Sequence, residues 1–94
     1  MVITILEAKL SPEQTEKLRV LYRQAKAEAP PGFVSYLLNN QSDRSVWRIV
    51  TVWKSQAELD TMLASVKVPR GKAMFLKVGA EPTLTIWDVP EWIG

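Results

Sequence analysis

No histidine and no cysteine occurs among the 94 residues, so chemistry must rest on carboxylates, basic groups, hydroxyls and indoles. That excludes a Ser-His-Asp arrangement, a thiol nucleophile, Cys- or His-ligated metal and imidazole ligation of haem. Three of the remaining side chains suit proton transfer and charge stabilisation on a small molecule. Arg48 interrupts the apolar run from Ser45 to Trp53, where a guanidinium could hold a developing oxyanion; the plainer alternative is an arginine that reaches solvent or pairs with a carboxylate. Tyr36 could orient a phenolic ligand through its hydroxyl, or be an ordinary core tyrosine with its hydroxyl at the edge. Glu7 would serve as a base if buried, because desolvation raises a carboxyl pKa; otherwise it is an exposed strand-end glutamate.

The aromatic and sulfur side chains are the second group of candidates. Trp47, Trp53 and Trp87 could stack on a flat ligand, while Trp53 could equally pack its strand against the following helix or across a dimer. Met62, Met74 and Phe75 could shape a pocket wall, or be core at helical spacing. Lys67, Arg70, Lys72 and Lys77 form a local basic run that is either the mouth of a site for an anion or a solvated surface. No phosphate-binding glycine pattern accompanies it.

These residues need elements to position them. The length is that of one domain, residues 1–94. With 47% hydrophobic and 23% charged residues the composition is that of a chain that folds, not a disordered or collagen-like one. Twelve Lys and Arg against ten Asp and Glu give no charge argument for nucleic acid or a membrane surface as partner. No apolar run approaches a membrane span, and the opening MVITILEAKL is too polar for a signal-peptide core. A soluble, cytoplasmic protein is the expectation.

Residues 2–8, rich in β-branched side chains, read as a first strand. Ser11, Pro12 and Gln14 then supply an N-cap, a proline at the first helical position and a capping-box partner. Leu18, Leu21, Tyr22 and Ala25 make one helical stripe, and Pro30-Pro31-Gly32 ends it. Residues 33–38 and 45–53 read as strands joined by the polar turn Asn39 to Asp43. Ser55 and Glu58 open a second helix over 56–66, residues 67–79 are partly irregular around Pro69 and Gly71, where Lys72 to Leu76 could form a short helix ended by Gly79, and 83–89 form the last strand. The order β-α-β-β-α-β predicts an α+β, ferredoxin-like split fold with a four-stranded antiparallel sheet and its helices on one face.

Alternate residues of a strand point to opposite faces, and here both sets are apolar. Ile3 and Ile5 stand against Val2, Leu6 and Ala8; Phe33 and Leu37 against Val34, Tyr36 and Leu38; Val46, Val50 and Val52 against Trp47, Ile49 and Trp53; Leu84 and Ile86 against Trp87 and Val89. A sheet with one wet face should alternate cleanly. Helices cover one face, and the apolar tail residues Trp92 and Ile93 are too few to cover the other. Covering ~800 Å² per subunit at roughly 25 cal/mol per Å² is worth tens of kcal/mol before ordering costs. A two-fold homodimer through the sheet face is the expected solution.

The order of elements, Pro31-Gly32-Phe33 at the second strand and the run Val52-Trp53-Lys54-Ser55-Gln56-Ala57-Glu58-Leu59 resemble the antibiotic-biosynthesis-monooxygenase-like group of the dimeric α+β barrel superfamily. The resemblance covers nearly the whole chain. It implies a small protein acting without a cofactor on a quinol-like aromatic compound, in a cavity between sheet and helices, or a relative with no catalytic activity. Such an oxygenase needs a dry cavity, a base and an oxyanion donor, the roles open to Glu7, Tyr36 and Arg48, with Trp53, Met62, Trp47, Trp87 and Phe75 as ligand contacts. The haem-degrading branch of that group carries an Asn, a Trp and a His where this sequence has Glu7, Met62 and Lys72, so haem is not expected. Two other readings stand beside the oxygenase: a non-catalytic ligand-binding or stress-associated barrel, and an isomerase or lyase using Glu7 as base.

Overall fold

In the computed structural model, which describes Met1–Gly94, the chain forms β1 (Val2–Lys9), α1 (Pro12–Glu28), β2 (Val34–Asn39), β3 (Val46–Trp53), α2 (Gln56–Ser65), α3 (Arg70–Lys77) and β4 (Thr83–Asp88). The strands make one antiparallel sheet in the order β2-β3-β1-β4. This is the expected ferredoxin-like arrangement with one helix more. No helix is long and apolar enough to cross a membrane.

Both serine N-caps form, with the full capping box at α1 only. Ser11 Oγ accepts from Gln14 N at 3.1 Å and Ser11 N donates to Gln14 Oε1 at 2.9 Å, which completes the capping box of α1. Gln14 Nε2 also donates to the Val78 carbonyl at 2.9 Å, tying the start of α1 to the end of α3. At α2, Ser55 Oγ accepts from Glu58 N at 3.1 Å.

The stretch expected to be partly irregular is mostly helix. Pro69 precedes α3 as its N-cap, its carbonyl accepting from Ala73 N at 2.9 Å, so it starts a helix instead of breaking one. Gly71 is set by packing: a Cβ there would lie 2.9 Å from Leu6 Cδ1, so the glycine lets α3 settle on β1. Gly79 ends the element at φ +81, left-handed backbone that suits glycine, and Ala80 N returns to the Phe75 carbonyl at 3.0 Å.

The helix-covered face holds two apolar clusters. The larger gathers Leu6, Ala8, Leu10, Leu18, Trp47, Ile49, Met74, Phe75, Val78 and Ala80 beneath α1 and α3. The smaller joins Val2, Trp53 and Leu59 beneath α2, with Met62 against them. The opposite face carries no helix, and the C-terminal tail does not fold over it: Ile93 is 105% exposed and Trp92 64%.

The β2–β3 turn is held by its own side chains. Asn40 Oδ1 accepts from Ser42 N and Asp43 N, while Asp43 Oδ1 accepts from the Ser45 hydroxyl at 2.6 Å and Ser45 N at 3.1 Å. The Ser45 hydroxyl and then the Ser45 amide favour the ionised carboxylate, with Lys9 adding a smaller attraction, and hold the Asp43 carboxyl below the ordinary aspartate value. A lowered folded-state value means that the turn's contribution is present above the unfolded aspartate pKa and is lost as pH falls through the folded one. An NMR titration should place the Asp43 midpoint below that of an unstructured aspartate, and Ser45→Ala should move it back up; an unmoved midpoint would show that Ser45 is not the cause.

Candidate functional site

Strand register sorts the candidate side chains of the strands onto two faces. On the uncovered face, three transverse rows cross the sheet: Val34, Val52, Ile3 and Trp87; Tyr36, Val50, Ile5 and Thr85; Leu38, Arg48, Glu7 and Thr83. On the helix-covered face the rows are Ser35, Thr51, Thr4 and Ile86; Leu37, Ile49, Leu6 and Leu84; and Asn39, Trp47 and Ala8. Phe33 stacks edge-to-face on Trp53 beside them, centroids 6.3 Å apart.

The candidates therefore do not form one cluster. Arg48, Glu7, Tyr36 and Trp87 share the uncovered face; Trp47, Trp53, Met62 and Phe75 lie beneath the helices. A site between sheet and helices cannot include the first group, because residues of opposite parity on a strand cannot meet. Arg48 and Glu7 are directly opposite each other on β3 and β1 and joined by a bond of 2.6 Å from Arg48 Nε to Glu7 Oε1. The bond engages one oxygen of the Glu7 carboxylate and the Nε–H of Arg48, and both side chains remain about half exposed. Tyr36 is 55% exposed and Trp87 56%, its Nε1 donating to Thr85 Oγ1 at 2.9 Å.

Beneath the helices the expected ligand contacts are mostly packed. Phe75 is fully enclosed, and Met74 and Trp47 are buried with it in the larger cluster. Trp53 packs β3 against α2 through Leu59 and Met62, the structural role open to it from the sequence. Met62 alone of the expected contacts there keeps partial access.

Sequence reading missed the polar groups at the seam between the two clusters. The row Ser35, Thr51 and Thr4 lays hydroxyl-bearing side chains across three strands, with Thr4 and Thr51 buried. Trp53 Nε1 donates to Thr4 Oγ1 at 3.0 Å from one side of the row, and the Tyr22 hydroxyl bonds Ser35 Oγ at 2.9 Å where α1 meets β2. The signal was available: among the polar residues of these three strands, Thr4, Thr51 and Ser35 share the parity of the covered face.

The basic run is spread over the surface. Arg70 pairs with Glu28 at 3.0 Å. Lys77 lines a shallow groove with Glu16, Lys17, Val20, Leu21 and Val78, where the adjacent carboxylate leaves no purely basic mouth. No three His, Cys, Asp or Glu side chains come together as a metal would need.

Comparison with known proteins places this architecture. The sequence profile of the antibiotic biosynthesis monooxygenase family matches residues 1–73. No curated protein matches in sequence. Among solved structures, an antibiotic biosynthesis monooxygenase candidate from Deinococcus radiodurans superposes with a TM-score of 0.73 at 20% identity, covering 100% of this chain and 97% of that one. The cofactor-independent oxygenase SnoaB from Streptomyces nogalater, in a single-substitution variant, gives 0.69 at 14% identity over 98% and 95%. Rv0793 from Mycobacterium tuberculosis gives 0.70 at 16% over 99% and 98%. At these identities the likeness is one of fold.

The seam has a testable energetic consequence. Thr4→Val keeps the shape of the side chain but strands Trp53 Nε1 without its acceptor, which should cost about 1–3 kcal/mol of unfolding free energy by urea titration, whereas Thr4→Ser should retain most of the stability. Equal stability of Thr4→Val and the parent would contradict the bond's place in the core.

Proposed function

Because the chain belongs to the antibiotic biosynthesis monooxygenase family, we propose that it is a monooxygenase-like protein that takes a small apolar, quinol-like aromatic molecule on the helix-covered side of its sheet and works without a bound cofactor. The observation that carries this is the hydroxyl row Ser35, Thr51 and Thr4, set between two apolar clusters and flanked by the Trp53 indole and the Tyr22 hydroxyl. Apolar walls with a few convergent polar groups are what binds and orients an oxygenated aromatic ring while excluding water. Met62, the half-buried member of the smaller cluster, borders this seam on the α2 side.

The proposal includes a homodimer joined through the uncovered faces. Ile3, Ile5, Val50, Val52 and Trp87 present apolar side chains there without a helix to cover them, a surface that a monomer would leave in water at a cost proportional to its area. Arg48, Glu7 and Tyr36, first considered as catalytic groups, then belong to the subunit contact. The ion pair supplies an internally neutralised polar spot within an apolar interface, and its geometry fits burial better than an unpaired charge would.

The Glu7-based isomerase or lyase reading loses its support, because Glu7 is held by Arg48 on the face away from the seam. A non-catalytic binding protein differs from the oxygenase only in turnover. Oxygen uptake by the purified protein with hydroquinones and anthrone-type compounds should therefore exceed the uncatalysed rate, and ligand addition should quench tryptophan fluorescence. Quenching without uptake would leave a binding protein, and neither signal would overturn both readings.

Subunit contact is tested separately. Val50→Asp places a carboxylate between Tyr36 and Ile5 at the middle of the uncovered face and should raise the dimer dissociation constant at least about a hundredfold in sedimentation equilibrium. An unchanged constant would place the contact elsewhere.

A further inference from the structure

Trp47 is 9% exposed, and its Nε1 is the one buried side-chain nitrogen or oxygen in the chain with no hydrogen-bond partner. An indole N–H can only donate, so an acceptor is the sole remedy. Trp53, on the same strand and face, has one in Thr4. The natural acceptor for Trp47 is Asn39, its direct neighbour on β2. That side chain is turned to other work: Nδ2 donates to the carbonyls of Arg44 and Val46, and Oδ1 accepts from Arg44 Nη1 at 3.3 Å. The nitrogen is therefore open to a partner from outside the chain.

Within the Trp47 cluster Leu18 and Phe75 are fully enclosed. Tyr22 of α1 and Leu37 of β2, which pack against the same cluster, are only half-buried, and the Tyr22–Ser35 bond marks where helix and strand meet. That border leads from the hydroxyl row, through the Tyr22–Ser35 bond, to the Trp47 end of the sheet.

We propose that Trp47 Nε1 is the anchor for an oxygen acceptor of the bound molecule, a carbonyl or phenolate oxygen on a planar aromatic frame that enters between α1 and β2. This rests on the helix-side binding described above and deepens it: the ligand must carry an acceptor oxygen, and the bare hydrocarbon frame forfeits that bond. Trp47 is thus a specificity-determining contact, while Trp53 is a structural one.

The test compares anthrone with 9,10-dihydroanthracene, which shares the ring frame but lacks the oxygen, on the full-length parent and on Trp47→Phe. Binding is read by quenching of the remaining tryptophans and by the indole N–H resonance of Trp47 in the parent. The expected result is that Trp47→Phe binds anthrone about tenfold more weakly and binds dihydroanthracene equally well. In the parent, the Trp47 indole proton should move downfield with anthrone only. Equal anthrone affinity in both proteins overturns the assignment while leaving helix-side binding intact. If the parent binds neither compound, helix-side binding itself fails. If Trp47→Phe does not fold, the parent's indole shift decides alone, and an unmoved resonance at saturating anthrone overturns the proposal.

Discussion

The structure depends on a mismatch between a sheet that is apolar on both faces and helices that can reach only one. In an antiparallel sheet the side-chain period is two, so a strand such as VITILEAK must offer Ile3 and Ile5 to one side wherever it buries Val2 and Leu6 on the other. The register then propagates this choice across the molecule, aligning Val34, Val52, Ile3 and Trp87 in one row on the uncovered side. Burial of the covered side drives folding, the other side keeps its apolar residues with no helix over them, and the pleat decides which residues go to which side.

Each face carries a row in which polar groups are concentrated. On the uncovered face Arg48 and Glu7 neutralise one another across β3 and β1, so an apolar surface carries a pair that can be enclosed without an unmatched charge. On the covered face the row Ser35, Thr51 and Thr4 separates the cluster under α1 and α3 from that under α2. Hydroxyls are the cheapest polar groups to bury because each can both give and take a hydrogen bond, and the Trp53 and Tyr22 partners satisfy this row in part from within the chain. Trp47 is the exception, a donor with no acceptor, and it lies on the helix-covered side of the sheet.

Much of the fold was legible in the sequence because its local signals agreed with one another. Ser11, Pro12 and Gln14 stated where α1 begins, the β-branched runs stated the strands, and the doubled apolar pattern stated that one face lacks a cover. The α3 segment was harder to read, since Pro69 and Gly71 carry breaker meanings that context reverses: one caps the helix, the other makes room for Leu6. The site was less legible for a geometric reason. Arg48, Tyr36 and Glu7 drew notice as chemically able groups, yet residue type says nothing about which side of a pleat they leave by until the register is known. Parity could have separated Arg48 from Trp47 and Trp53 on the same strand, and would have drawn Thr4, Thr51 and Ser35 into the same set as the indoles.

The most direct check of this division of labour is to locate a bound aromatic molecule by intermolecular NOEs in methyl-labelled protein. The account predicts contacts from ligand protons to the methyls of Thr4, Thr51 and Leu37, with Ile5, Val50 and Val52 showing contacts only to the second copy of the chain. Ligand NOEs to Ile5 and Val50, with none to Thr4 or Thr51, would contradict it.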